Sequence, residues 1–322
     1  MTLGGLIFCL CVAIGAIGQL ALAKVLPHER SAAPTTTIKT ETTKPGKGAQ
    51  EPAPTTQTPP EQPSSEPKMP RPRPYLVANK HLTNLRSSNP ATPIYDRYTL
   101  TERTEKGLPL ALPYIEPYTE QKVAYLTFDD GPDLVNTPKI LDILKEQDVP
   151  ATFYVLGCRA QENPELIQRI FNEGHAIGNH SYDHNYDTLY SSPNDFLWQI
   201  LYTDEILHGI LGVRPLIVRA PGGTSSMFTD EYWTMLDENG YAIHDWNVCT
   251  NDATQEKPNA ARQLEYVDVQ TNCPKNGNAA IVLMHCTADK TETVKALPEI
   301  IRLLKQKGYT FGVITPMTPQ PY

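Results

Sequence analysis

Residues 123–132 read VAYLTFDDGP, and this stretch decides the fold. Its first part, from Val123 to Phe128, is apolar enough to form a buried strand, and the Asp-Asp-Gly-Pro that follows is typical of the turn that ends a strand. Residues 137–146 then carry apolar side chains at helical spacing, and residues 151–156 form a second apolar run. A buried strand, a helix and another buried strand in succession indicate a parallel α/β sheet.

The same alternation continues towards the end of the chain. Further strands are predicted at residues 175–178, 216–219, 241–248, 279–284 and 310–314. Further helices are predicted from residue 163 and at residues 193–211, 229–238, 259–272 and 291–307. About seven strands that alternate with helices predict a parallel α/β barrel or open sheet.

The residues before this alternating pattern differ from it in composition. Residues 1–23 contain no charged side chain and predict a signal peptide cleaved after Ala23 or an uncleaved membrane anchor. Residues 24–74 hold 12 of the 30 prolines and predict a disordered linker, and residues 75–117 are a transitional segment that can dock on a domain. We therefore expect an exported protein, secreted or anchored at the cell surface, whose N-terminal segment meets the membrane.

The charge balance bears on possible partners. Asp and Glu outnumber Lys and Arg by 36 to 28, which gives a net charge of −8. Phosphate binding needs a basic face, so this balance argues against nucleic acid. No protein partner is implied.

Polar side chains stand where several of the predicted strands end, and this is the edge at which parallel α/β proteins place their chemistry. They are Asp129, Asp130, His180, His184, Arg219 and His285. Each has an ordinary structural explanation on its own, such as turn chemistry or a surface pair, but their coincidence on one edge favours a site. Two histidines and a carboxylate form the ligand set of catalytic zinc. A second carboxylate can then act as base and a further histidine as acid.

These motifs occur in a fixed order: residues 127–132 (TFDDGP), His180-x-x-x-His184, Arg219-x-Pro221-x-Gly223 and residues 283–285 (LMH). In that order they resemble the polysaccharide deacetylases, which include chitin, chitooligosaccharide and peptidoglycan deacetylases. The resemblance covers residues 118–317, which we interpret as the catalytic domain. It implies a distorted (β/α) barrel of about seven parallel strands.

The resemblance also implies a role for each matching position. Asp130, His180 and His184 would bind a divalent metal, most often Zn²⁺, with Co²⁺ or another divalent ion as alternatives. Asp129 would be the general base, held by Arg219, and His285 the general acid, supported by Asp252. The substrate would meet the Gly222 backbone N–H, Pro221 and Leu283, the last walling the pocket for the acetyl methyl group.

One motif departs from the family pattern. Residues 245–253 read DWNVCTNDA, so Ala253 stands where the family has tryptophan after the supporting aspartate, and Cys249 replaces an upstream acidic residue. We expect this change to affect substrate preference rather than metal chemistry.

Four of the six cysteines lie in the predicted domain, at positions 158, 249, 273 and 286. An even number in an exported protein permits disulfides, and three pairings are possible. We favour a bridge between Cys249 and Cys286, with buried free thiols as the alternative.

The sequence therefore predicts a metal-dependent hydrolase that removes acetyl groups from an N-acetylated polysaccharide. Cell-wall peptidoglycan, at N-acetylglucosamine or N-acetylmuramic acid, is the expected substrate, and chitin-like oligomers come next. An O-acetyl xylan esterase of the same mechanism is the first alternative. A catalytically silent wall-binding protein is the second, although every residue that the chemistry needs is present. A two-carboxylate glycosidase would not explain the histidines.

Overall fold

The computed structural model describes residues 74–114, 121–273 and 278–320. The strands in these ranges are β1 (Leu76–Ala78), β2 (Ile94–Asp96), β3 (Val123–Gly131), β4 (Thr152–Val155), β5 (Ala176–Asn179), β6 (Arg214–Pro215), β7 (Ile217–Val218), β8 (Ala242–Ile243), β9 (Val248–Cys249), β10 (Ala279–His285) and β11 (Thr310–Gly312). The helices are α1 (Leu100–Glu105), α2 (Thr137–Gln147), α3 (Gly157–Glu162), α4 (Pro164–Asn172), α5 (Tyr186–Leu189), α6 (Pro193–Leu211), α7 (Asp230–Glu238), α8 (Ala260–Thr271) and α9 (Thr291–Gln306).

The main sheet is a curled half-barrel of parallel strands. Its order is β8-β7-β5-β4-β3-β10-β9, and β11 pairs with the first half of β3. Every pairing in it is parallel. The predicted distorted barrel is therefore confirmed. Because the strands run in one direction, all of their carboxyl ends lie on the same edge.

The strand predicted at residues 241–248 is divided in two. Its ends form β8 and β9, while the carbonyl groups of His244 and Asp245 accept hydrogen bonds from the Arg219 side chain. Carbonyl groups that bind a side chain in this way do not continue a ladder between strands. The prediction of one continuous strand was therefore wrong in its middle.

Alternate side chains along the strands serve two different cores. The inner face carries Val123, Tyr125, Tyr154, Ile217 and Ile281, which fill the barrel. A Cβ on Gly178 would lie 2.4 Å from the Tyr154 ring, so glycine at this position makes room for that ring. The outer face packs on the helices, which seals the sheet from water on that side.

Helix boundaries follow local capping signals. Helix α6 begins at Pro193 after the Ser192 N-cap, whose hydroxyl accepts from the Asp195 N–H. It ends at Leu211, and Gly212 caps it in the left-handed conformation. The predicted range 193–211 is confirmed to the residue. This helix supports the loop that carries His180 and His184, because Gln199 accepts hydrogen bonds from the backbone N–H groups of two residues in that loop, Tyr182 and Asp183.

Residues 74–114 contribute strands to a second, smaller sheet. Its order is β1-β2-β6, with β1 and β2 parallel and β2 antiparallel to β6. A fully buried ion-pair chain runs through this sheet, from Arg103 to Asp96, from Asp96 to Arg214 (3.2 Å), and from Arg214 to Asp204 (3.4 Å). The segment expected to be transitional thus places one of its carboxylates between two guanidinium groups.

The predicted export segment at residues 1–23 and nearly all of the predicted linker at residues 24–74 lie outside the described residues, as do residues 115–120. Within the part of the chain that is described, no helix combines the length and the apolar character needed to cross a membrane.

Candidate active site

The residues singled out in the sequence meet at the carboxyl edge of the main sheet. Asp129 and Asp130 end β3, and His285 ends β10 directly opposite Asp129 in the register. The loop after β5 supplies His180, and Arg219 follows β7. These side chains are separated in sequence by up to 156 residues, from Asp129 to His285, and the parallel sheet brings them together.

Asp130, His180 and His184 form a compact cluster. The Nε2 atoms of His180 and His184 lie 3.5 Å and 3.6 Å from Oδ1 of Asp130. One ligand atom from each residue lies within 4.8 Å of the others. Oδ1 of Asp130 is buried and has no hydrogen-bond partner among the described residues. A buried carboxylate oxygen without a partner fits a site for a cation, because leaving it unpaired costs free energy.

The protonation of His180 also fits metal binding. Its Nδ1 lies 2.8 Å from the carbonyl oxygen of Arg219, and a carbonyl can only accept, so Nδ1 carries the hydrogen. Nε2 is therefore the basic nitrogen, and it faces Asp130. Burial lowers the pKa of His180 despite the nearby carboxylates of Asp129 and Asp130, which favours the neutral imidazole that metals bind.

The backbone around the cluster is unusual. Asp130, Ser181 and His184 have φ values of 70°, 77° and 60°, in a region that residues other than glycine seldom adopt. Strained backbone of this kind concentrates at functional sites, where the surrounding structure holds it. Here it occurs at two members of the cluster, Asp130 and His184, and at Ser181, which lies between the two histidines in the sequence.

Asp129 is paired with a fully buried arginine. Nη1 of Arg219 lies 2.9 Å from Oδ1 of Asp129 and 2.6 Å from the hydroxyl of Thr127. The same guanidinium stacks over the Tyr154 ring with its carbon 4.2 Å from the ring centre. Since Arg219 also donates to two carbonyl groups, its position and its charge are both held. Its positive charge compensates the negative charge of the Asp129 carboxylate. Oδ2 of Asp129 remains directed towards His180, 3.8 Å from Nε2.

His285 is held by Asp252 on the other side of the site. Its Nδ1 lies 2.8 Å from Oδ1 of Asp252, and its backbone N–H donates to Oδ2 of the same carboxylate at 2.8 Å. The hydroxyl of Thr293 donates to that Oδ2 as well. Burial lowers the pKa of His285, but the hydrogen bond to Asp252 and its charge outweigh burial and raise the pKa to about 9. His285 therefore carries a proton at neutral pH.

The turn at residues 221–223 lies beside this cluster. The Pro221 carbonyl accepts a hydrogen bond from the Tyr190 hydroxyl at 2.6 Å, which anchors the turn. Gly222 has a φ of 77°, and among the described residues nothing accepts from its N–H. Leu283 lies two residues before His285 on β10, so both project from the same face of the strand. The structure thus places Pro221 and Gly222 in one turn and Leu283 on the strand face that carries His285.

The predicted bridge between Cys249 and Cys286 is wrong. All four cysteines of the described residues are free thiols. Cys286 belongs to the core between the sheet and the helices, and its neighbour His285 projects into the site. Cys249 lies opposite Leu283 in the register and shares its inner face. The two sulfur atoms therefore lie on opposite faces of the sheet.

Four contributors to the site were missed in the sequence. Thr127 and Tyr154 hold Arg219, and Asp245 accepts from the Thr224 N–H at 2.9 Å and so fixes the glycine turn. Tyr186 packs its ring on His184 with the ring centres 5.2 Å apart. The Asp245-Trp246 doublet in the sequence could have indicated Asp245 as a site residue. Nothing near Tyr186 in the sequence distinguishes it from a surface tyrosine.

Comparison with known proteins agrees with this geometry. The sequence profile described as polysaccharide deacetylase matches residues 116–244. A peptidoglycan-N-acetylglucosamine deacetylase of Bacillus cereus is 36% identical over 203 residues, which cover 62% of this chain and 70% of the relative. A chitin deacetylase of Colletotrichum lindemuthianum is 34% identical over 211 residues, covering 63% of this chain and 82% of the relative.

Solved structures give the same result. A CE4 esterase of Streptococcus mutans superposes with a TM-score of 0.58 at 34% identity, covering 66% of this chain and 94% of that one. The chain belongs to the polysaccharide deacetylase family of hydrolases.

Proposed function

We propose that this protein is a metal-dependent deacetylase of N-acetylated glycans that acts on cell-wall peptidoglycan. The observation that carries the proposal is the Asp130, His180 and His184 cluster, with Asp129 on one side of it and His285 on the other. A lone metal site would not need a buried, arginine-paired carboxylate and a protonated histidine at the same edge. Together they supply what amide hydrolysis requires.

The metal would be held by one oxygen of Asp130 and by Nε2 of His180 and His184. Three protein ligands of this kind leave positions open for water and substrate, which is the arrangement of catalytic zinc. When bound, a divalent ion supplies Lewis acidity that polarises the acetyl carbonyl and lowers the pKa of water. Zn²⁺ suits two imidazoles and a carboxylate, and Co²⁺ suits the same donor set.

Asp129 acts as the base in this proposal. Arg219 takes the hydrogen bonds of Oδ1, so Oδ2 is the oxygen left to accept a proton from the attacking water. Because Thr127 and Tyr154 fix the guanidinium, the carboxylate cannot turn away from the cluster. General base catalysis by a positioned carboxylate contributes a factor of about 10² to 10⁴ in rate.

The Gly222 N–H and His285 complete the reaction. The N–H donates to the oxyanion that forms on the acetyl oxygen, an interaction whose removal costs about 10² to 10³ in rate where it has been isolated. His285 then gives its Nε2 proton to the sugar nitrogen as the carbon–nitrogen bond breaks. Acetate and a free amine are the products. Asp252 keeps Nδ1 protonated and leaves Nε2 facing the site.

The choice of substrate is supported by the relatives and by the sequence. Relatives named as peptidoglycan deacetylases align with this domain, and residues 1–74 are typical of an exported protein with a spacer. We infer that the protein acts outside the membrane, secreted or anchored at the cell surface. An O-acetyl esterase is a second candidate because one similar structure is described as a CE4 esterase.

Acetate release tests the proposal. The full chain is incubated with peptidoglycan, N-acetylglucosamine oligomers and acetylated xylan, with and without a chelator. We expect chelator-sensitive release from peptidoglycan, a fall of at least about a hundredfold in Asp129→Asn, and no change in Asp237→Asn, an exposed aspartate on α7. Release from xylan alone would establish the esterase, and no release despite bound metal would contradict both.

A further inference from the structure

Residue 222, in the turn beside the cluster of Asp130, His180 and His184, is a glycine. The side chain of another residue occupies the space that a side chain at position 222 would take. A Cβ built on Gly222 would lie 2.6 Å from the hydroxyl oxygen of Tyr186. The tyrosine hydroxyl thus stands directly against the backbone that carries the proposed oxyanion donor. In the sequence, Tyr186 lies 36 positions away, two residues beyond the metal-cluster histidine His184.

The position of the Tyr186 ring is held from several sides. It begins α5, where the Asn185 side chain accepts from the backbone N–H groups of Asp187 and Thr188. Its ring lies 5.2 Å from that of His184 and 5.7 Å from that of Tyr190. Tyr190 is in turn bonded to the Pro221 carbonyl. The ring therefore packs against His184 and against the tyrosine that is hydrogen-bonded to the turn at residues 221–223.

The Tyr186 hydroxyl has no structural task of its own. Whereas the Tyr190 hydroxyl donates to Pro221, no hydrogen bond is formed by the Tyr186 hydroxyl within the described residues, and the residue is 42% exposed. A tyrosine hydroxyl that lies against the proposed oxyanion donor and is partly open to solvent can form a hydrogen bond with a polar ligand.

We propose that Tyr186 is a specificity-determining residue whose hydroxyl binds a ring hydroxyl of the sugar that carries the reacting acetamido group. The proposal rests on the proposed function, since it takes the acetyl oxygen to lie at the Gly222 N–H. With that oxygen in place, the sugar ring extends from the turn towards solvent, which is where the phenol stands. A site that hydrogen-bonds a substrate hydroxyl rejects analogues that lack it.

The test compares two substrates and two tyrosines. Tyr186→Phe keeps the ring and removes only the hydroxyl, and Tyr202→Phe makes the same change at a tyrosine on α6 that is 38% exposed. Each variant is assayed on an N-acetylglucosamine tetramer and on 4-nitrophenyl acetate, which has no sugar. Background hydrolysis is taken from Asp129→Asn.

For Tyr186→Phe we expect kcat/KM on the tetramer to fall roughly threefold to tenfold, the effect of losing one hydrogen bond, and kcat/KM on the ester to stay within about twofold. Tyr202→Phe should match wild type on both substrates. Equal losses on both substrates would make the hydroxyl an oxyanion donor, and no loss on either would make it a spectator; both outcomes overturn the proposal. A wild-type protein that cleaves the ester but no glycan would instead overturn the proposed function, and the sugar contact with it.

Discussion

Both carboxylate oxygens of Asp252 accept hydrogen bonds from His285, one from the imidazole Nδ1 and one from the backbone N–H, each at 2.8 Å. This pairing fixes the ring as well as its charge, because the same carboxylate orients the backbone from which the side chain projects. Burial raises the pKa of Asp252, but the hydrogen bonds and charge of His285 outweigh it and lower that pKa. The two groups therefore stay ionised together at neutral pH.

The pairing predicts the alkaline limit of activity. His285 must carry a proton to act as an acid, and its pKa is raised to about 9, so kcat/KM should hold through neutral pH and fall as pH rises through about 9. In Asp252→Asn the negative charge is gone, and we expect the alkaline limb to move down by about one to two pH units. Asp289→Asn, a nearby exposed carboxylate, should leave the limb in place. An unmoved limb in Asp252→Asn would show that another group titrates there.

Metal binding should depend on the cluster. Chelator-treated protein is expected to take up one Zn²⁺ or Co²⁺ with a rise in melting temperature, because a ligand that binds only the folded state stabilises it. His184→Ala removes one of three ligands, and we expect it to weaken binding by at least about a hundredfold. His81→Ala serves as the control, because His81 is exposed and distant in sequence from the three cluster residues. Equal affinity in the two variants, measured by calorimetry, would exclude the cluster as the metal site.

The stability of the domain should depend on residues before the barrel. Asp96 is fully buried between Arg103 and Arg214, and Asp96→Asn leaves both guanidinium groups without that charge. We expect the free energy of unfolding in urea to fall by about 3–5 kcal/mol. Glu265→Gln, in an exposed pair with Arg262, should change it by no more than about 0.5 kcal/mol. A small effect at Asp96 would mean that residues 74–114 are not integral to the domain.

Local signals in the sequence explain most of the secondary structure that could be predicted. The bounds of α6 followed from a serine N-cap, a proline at the first turn and a glycine at the end. The strand at residues 241–248 was mispredicted because its central carbonyl groups bind Arg219, which comes from a different strand. Apolar periodicity cannot report a hydrogen bond whose partner is more than 20 residues away.

The site residues also divide into those that local sequence features identify and those that depend on contacts between distant segments. Strand-end position and side-chain chemistry are both visible in a sequence, and they are enough to identify Asp129, Asp130, His180, His184, Arg219 and His285. The cysteines were misjudged because following a strand does not say which face a side chain takes. The sequence could not indicate Tyr186, because its place in the site depends on the space that Gly222 leaves in the folded protein.

The sequence by itself determined most of the alternation of strands and helices in the main sheet, the edge on which the chemistry lies and the residue types that perform it. These properties depend on side-chain periodicity and turn chemistry within a few residues of one another. Only the tertiary structure decided that Asp96 lies between two arginines, that Arg219 interrupts a strand and that Tyr186 stands over Gly222. Those relationships join distant segments, and they exist only once the sheet has curled and brought its strand ends together.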